Sequence, residues 1–220
     1  MRTYYQIAMD GPAGAGKSSI AKLLAKKLGF TYINSGAMFR CVAIYILKNN
    51  ISLENQSLLE ESIKKGKISI SQTKDDFFLN NEKVTDRLHT PEVSSLVPVI
   101  AKIPFVRNFV EGNSANIAKT QDIVIEGRDT TTVVFPNATL KCWVFADPLI
   151  RATRRWEQNN KDGKLEDVVN EVQKRDKMDT ERNIAPMKRA NDAFDVDTTN
   201  LTIEEAVETI SKEFSKRIKK

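Results

Sequence analysis

A chain of 220 residues, 40% of them hydrophobic, can bury one sizeable α/β core, alone or with smaller inserts. Its formal net charge of +5, from 34 Lys and Arg against 29 Asp and Glu, suits anionic small molecules and does not require nucleic acid. Its cysteines, Cys41 and Cys142, sit in apolar contexts that predict reduced core thiols; with one histidine, His89, and no CxxC or HxxxH spacing, no structural metal site is expected.

Residues 4–9 read as a short buried strand, residues 10–16 as a Gly/Pro/Ala loop, and residues 18–28 as a helix with Ile20, Leu23, Leu24 and Leu28 at helical spacing before Gly29. A second strand is predicted over 30–33 and a helix over 36–47, its apolar face including Phe39, Ala43, Ile44 and Leu47. From 67 to 86 the pattern changes to alternation around the turn pair Asn80-Asn81, predicting a small β insert. Residues 90–118 read as helical, with breaks at Pro98 and Pro104. The near-apolar stretch 96–110, cut by Lys102, Arg107 and those prolines, is too short and interrupted to span a bilayer, and the first ten residues show no secretory h-region. Ile123, Val124 and Ile125 predict a central parallel strand, residues 140–145 another and 194–197 a last short one. Charged, mostly helical sequence fills 150–191, and an amphipathic helix closes the chain over 202–218.

Strands alternating with helices imply a doubly wound parallel sheet, whose ligands bind beyond the carboxyl ends of the strands. At the first of those ends Gly11, Pro12, Ala13, Gly14, Ala15, Gly16, Lys17 and Ser18 satisfy G-x-x-x-x-G-K-[ST], placed between an apolar strand and an amphipathic helix. The glycines let successive N–H groups curl toward phosphate oxygens, and the helix start adds its positive dipole end. Lys17 supplies a mobile charge for the γ-phosphoryl, and the Ser18 hydroxyl a ligand for Mg²⁺.

Transfer, rather than hydrolysis or sensing, is favoured by three further features. Arg40 stands one turn into the helix after the second strand, suited to an anion arriving opposite ATP. The third buried strand ends in Glu126-Gly127-Arg128-Asp129, an acid to orient a Mg²⁺ water or hold a basic partner and an arginine projecting beyond it. Arg175, Asp179 and Arg182, spaced four and three residues apart, are predicted to share one helix face, and two guanidiniums flanking a carboxylate can clamp phosphate and ribose hydroxyl. Arg151, Arg154 and Arg155 precede them.

With these pieces assembled, the chain resembles the bacterial cytidylate kinases over nearly its whole length. The resemblance rests on GPAGAGKSS from Gly11 to Ser19, SGAMFR from Ser35 to Arg40, TPEV from Thr90, Val106-Arg107, GRD from Gly127 with TVVFP from Thr132, Arg175-Asp176 with Asp179 and Arg182, and DTTNL from Asp197. It implies a P-loop NTPase fold: a five-stranded parallel sheet flanked by helices, a nucleoside-monophosphate-binding insert with a small β-sheet, and a short helical LID. The expected division is a core of residues 1–34, 106–150 and 186–220, a monophosphate-binding domain of 35–105, and a LID of 151–185. By family role, Gly11 to Ser19 bind ATP and Ser18 meets Mg²⁺. Arg40, Arg128 and Arg182 hold the acceptor phosphate, Arg175 and Asp179 the ribose, and Arg107 with Asp129 the cytosine, while Ser35 lines the same site. Lys17, Arg128, Arg154, Arg155 and Arg182 are the expected catalytic cations, Arg154 and Arg155 closing over ATP.

Four departures from the family pattern stand out: Asn34 where Asp is usual, Phe39 for Tyr, Glu126 through Thr132 for a related acidic motif, and Pro98 where a base-contacting Ser is frequent. The activity implied is γ-phosphoryl transfer from ATP to CMP or dCMP by a cytoplasmic monomer, with no nucleic-acid or membrane partner. A kinase for another small acceptor such as UMP and a non-catalytic nucleotide-binding regulator remain as alternatives.

Overall fold

The computed structural model describes residues 4–73, 76–158 and 160–219. The chain forms two compact units, Met1–Ile33 with Ile117–Lys220, and Asn34–Asn116. The first unit opens with β1 (Gln6–Asp10), α1 (Lys17–Leu28) and β2 (Thr31–Asn34). Helix α1 ends where Gly29 takes a left-handed conformation with φ 69°, and its N–H caps the Ala25 carbonyl.

In the second unit α2 (Ser35–Lys48) is capped by Asn34, whose Oδ1 accepts from the Ala37 N–H at 2.9 Å. After α3 (Ser57–Lys64), strands β3 (Ile70–Thr73), β4 (Asp76–Leu79) and β5 (Glu82–Lys83) pair antiparallel. Asn80 and Asn81 connect β4 to β5 with φ of 49° and 66°, the two positive values that a type I′ hairpin demands and asparagine tolerates. The expected β insert is therefore present. Helices α4 (Pro91–Ile100) and α5 (Pro104–Ala118) follow, bent 101° apart. Among the described residues no single helix is long and apolar enough to cross a membrane.

One expectation fails here. Pro98 does not break the helix: α4 runs through it to Ile100, and the chain turns only at Ala101 to Ile103. A proline in the last turn forfeits one backbone bond, and burial of Val93, Val97 and Ile100 outweighs that loss. Pro104, by contrast, stands at the first position of α5, where its missing N–H costs nothing.

The first unit resumes with β6 (Ile123–Glu126), a π-helical turn over Thr130–Val134, and β7 (Leu140–Phe145). Then come α6 (Pro148–Gln158), α7 (Leu165–Glu181), β8 (Phe194–Asp197) and α8 (Ile203–Ile218). Thr202 and Glu205 start α8 with a capping box. The sheet order is β2-β6-β1-β7-β8, and β1 pairs parallel with both β6 and β7, as β7 does with β8. Ile123, Val124 and Ile125 are fully buried, as a strand covered on both faces requires. Register sets Met9 beside both Glu126 and Cys142, and Phe145 beside Asp197, so the segments starting at Gly11, Gly127, Ala146 and Thr198 leave one edge of the sheet together. Both cysteines are buried free thiols, and burial raises the pKa of each.

Candidate active site

The glycine loop between β1 and α1 is held by contacts only glycine permits. A Cβ on Gly11 would stand 1.9 Å from the Val144 carbonyl oxygen, and one on Gly14, where φ is 75°, 2.5 Å from that of Arg151. Turning N–H groups to one side of such a loop turns carbonyls to the other, and a carbonyl cut off from water must find a donor. Three side chains meet that need. Lys17 Nζ donates to the Pro12 oxygen at 2.7 Å, Arg151 Nη1 to that of Ala13 at 2.9 Å, and the Thr198 hydroxyl to that of Ala15 at 3.1 Å. No side chain caps the start of α1, because the capping position is Gly16. The helix end therefore keeps its N–H groups for an anion.

Lys17 is 5% exposed. Burial lowers its pKa to about 7, and the nearby Arg128 charge pushes the same way against Glu126, Asp10 and Asp176. An anion entering the loop would restore the ammonium. Ser18 Oγ is exposed and donates to Glu126 Oε1 at 2.9 Å, while Glu126 is buried at the end of β6. A hydroxyl beside a carboxylate suits a hard, oxygen-seeking cation. Among the described residues no cluster of three or more His, Cys, Asp or Glu could hold a metal by itself. These two groups would thus serve Mg²⁺ jointly with nucleotide phosphates.

Asp10, fully buried at the end of β1, accepts four hydrogen bonds. Thr130 donates from N and Oγ1, each at 2.8 Å, and Thr131 from N and Oγ1, each at 2.6 Å. Burial raises its pKa, opposed by those bonds. The segment after Arg128-Asp129 is thereby tied to the strand that launches the glycine loop.

Beyond β6 lies a cluster of arginines around Asp179, which is 2% exposed. Arg128 Nε reaches its Oδ2 at 3.0 Å, Arg175 Nε the same oxygen at 3.2 Å, and Arg182 Nη1 its Oδ1 at 3.8 Å. Arg182 also donates to Asp129 Oδ1 at 2.9 Å. Burial works against the Asp179 charge, but the three guanidiniums hold its pKa below the usual carboxylate range. The cluster offers guanidiniums in excess of carboxylate, the condition for capturing a further anion.

The second unit holds Ser35 at the start of α2, and Arg40, whose Nη1 donates to the Leu88 carbonyl at 2.7 Å and Ser94 Oγ at 2.8 Å. Arg107, 4% exposed, pairs with Glu111 at 2.8 Å, donates to the Ala101 carbonyl at 3.1 Å and lies over the Phe39 ring at 5.8 Å.

The family model described as cytidylate kinase matches residues 7–216. This chain belongs to the cytidylate kinase family. A cytidylate kinase from Thermosipho melanesiensis is 43% identical over 217 residues, spanning 97% of this chain and 98% of its own. One from Bacillus cytotoxicus is 40% identical over 219 residues, 97% of each. The solved structure of an uncharacterized protein from Eubacterium ventriosum aligns with a TM-score of 0.54 at 14% identity, covering 96% of this chain and 98% of that one. A shikimate kinase from Bacteroides thetaiotaomicron reaches 0.50 at 11% identity with the same coverage. Those two likenesses concern the fold alone.

Within this cytidylate kinase family member one sequence expectation needs adjusting. Arg182 does not share a helix face with Arg175 and Asp179: α7 stops at Glu181, and Arg182 is extended, with ψ 139°. The helix ends because the chain turns back there, Arg182 Nε donating to the Ala185 carbonyl at 2.5 Å and Met187 N–H to that of Asp179 at 2.7 Å. Arg182 still reaches Asp179, from outside the helix. Arg154, expected to reach toward ATP, donates to Thr198 at its Oγ1 (3.1 Å) and carbonyl (2.6 Å), whereas Arg155 makes no hydrogen bond or ion pair among the described residues. Asp10, Thr130, Thr131 and Thr198 take no site role in the sequence patterns, yet each hydrogen-bonds at the carboxyl ends of the strands. Their signal was the bare presence of hydrogen-bonding side chains at the carboxyl ends of apolar strands.

Proposed function

We propose that this chain transfers the γ-phosphoryl group of ATP to CMP or dCMP, giving ADP and the nucleoside diphosphate. One observation carries the reading: in the same compact unit, the helix that bears Asp179 and its guanidinium cluster also meets the glycine loop, Asp176 Oδ1 accepting from the Ala13 N–H at 2.9 Å. Family membership and the names of its relatives name the acceptor.

Residues Gly11 to Ser19 form the loop that receives the donor's phosphates, Lys17 supplying the charge that follows the group in transit. Ser18, with Glu126 behind it, would hold Mg²⁺. Bound there, the ion would neutralise charge on the donor's outer phosphates. Arg128 and Arg182 hold the acceptor phosphate, and Arg175 with Asp179 the ribose. Asp129, paired with Arg182, and Arg107 read the cytosine, and Ser35 and Arg40 also serve the acceptor. Arg154 and Arg155 of the LID, residues 151–185, act on the donor side.

Two polyanions repel strongly in a site of low dielectric, so catalysis here is charge neutralisation and positioning. The acceptor phosphate is ionised at neutral pH, and no general base is needed. Coupled measurement of ADP release with ATP and Mg²⁺ against CMP, dCMP, UMP and AMP tests the reading. The cytidine acceptors should give the highest kcat/KM by at least about tenfold; faster turnover of UMP or AMP would replace the substrate, and no turnover of any would end the proposal.

A further inference from the structure

Ala13 is the loop residue whose two backbone polar groups are both taken by distant side chains. Its N–H donates to Asp176 Oδ1 at 2.9 Å, and its carbonyl accepts from Arg151 Nη1 at 2.9 Å. The same Arg151 nitrogen meets Asp176 Oδ2 at 2.5 Å, while Arg151 Nε donates to the Ala146 carbonyl at 3.1 Å. A single peptide is thus gripped from both sides by an arginine of α6 and an aspartate of α7 that also grip each other. Their side chains are 8% and 17% exposed, so this is not a solvent-screened surface pair of negligible value. An amide already facing a carboxylate repels rather than invites a phosphate, and Ala13 thereby drops out of the phosphate-contacting set expected from the motif.

We propose that Asp176 and Arg151 are positioning residues of the phosphate loop. They lock the Ala13 peptide so that the loop is curled before nucleotide arrives, and the phosphates are met by the N–H groups after Ala13. Asp176 follows Arg175 and lies one turn before Asp179 on α7. The helix that braces the loop therefore carries the guanidinium cluster as well. A preorganised loop binds more tightly because the ordering cost is met at folding.

The inference rests on the loop being a nucleotide site, and its test separates the two. Full-length Asp176→Ala, Asp176→Asn, Arg151→Met and the double variant Asp176→Ala/Arg151→Met are compared for KM of ATP, KM of CMP, kcat and direct ADP affinity. Asp176→Ala should raise the ATP KM and weaken ADP about tenfold, the scale of one charged hydrogen-bond partner, with the CMP KM within about twofold. Asp176→Asn, which retains an acceptor for Ala13 but not the ion pair, should fall between, about threefold. The double variant should be no worse than the worse single one. Unchanged ATP KM and ADP affinity in either folded Asp176 variant, equal losses for both substrates, or additive losses in the double variant would overturn the proposal. Should wild type turn over no acceptor, ADP affinity alone still decides it, and only the catalytic reading falls.

Discussion

Lys17 sets up a proton balance that can be measured. Its pKa in the free protein is about 7, against 10.5 for an unhindered lysine. At pH 8 only about one molecule in ten carries the ammonium. A polyphosphate in the loop selects the charged form, so binding should take up close to one proton, about 0.9, per ADP at that pH. ADP contributes little itself, since its terminal phosphate ionises near pH 6. Calorimetric titration at pH 8 in two buffers of different ionisation enthalpy reads the uptake directly, and Lys17→Met should abolish it. Affinity should fall by about tenfold for each pH unit above 8 up to the pKa that Lys17 takes in the complex. The free protein should behave in the opposite sense. Between pH 7 and 10.5 its unfolded chain binds more protons than the native state, so this group's contribution to stability rises with pH. The penalty, on the order of a few kcal/mol, is fully present below pH 7. Identical binding enthalpies in the two buffers would refute the reasoning, because Lys17 would then be charged before the nucleotide arrived.

Three further outcomes follow from the same contacts. Asp179→Asn leaves three guanidiniums without their shared carboxylate, and should cost about 3 to 5 kcal/mol in denaturant unfolding, partly recovered by added phosphate. Because the native pKa of Asp179 is depressed, its contribution is present above the ordinary value of 3.8 and lost as pH falls through the native one, so variant and wild type should converge in acid. Gly14→Ala puts a Cβ 2.5 Å from a backbone oxygen at a positive φ, and should eliminate ADP binding in titration while leaving far-UV dichroism intact. Asp10→Asn replaces one acceptor oxygen by a donor facing donors, and should lower stability by about 2 to 4 kcal/mol in a urea melt.

What could be read from the chain and what could not divide along sequence distance. The glycine loop, the continuous Ile123–Ile125 strand and the Asn80-Asn81 hairpin are decided within a few residues, and local rules found all three. Pro98 and Arg182 misled for the same reason reversed. A proline rule knows nothing of the burial that carries α4 onward, and a spacing rule assumes a helix that the turn at Ala185 has already ended. Asp10 meets Thr130 and Thr131 across 120 and 121 residues, and Asp176 meets Ala13 across 163, distances at which no pattern speaks. Yet backbone accounting narrows even these. A loop that gathers N–H groups must expel carbonyls, and in a parallel sheet the donors able to reach them stand where neighbouring strands end. Arg151 after β7 and Thr198 after β8 are such donors. The loop is therefore shaped as much from outside, by Arg151 and Thr198, as by the glycines that make the motif recognisable.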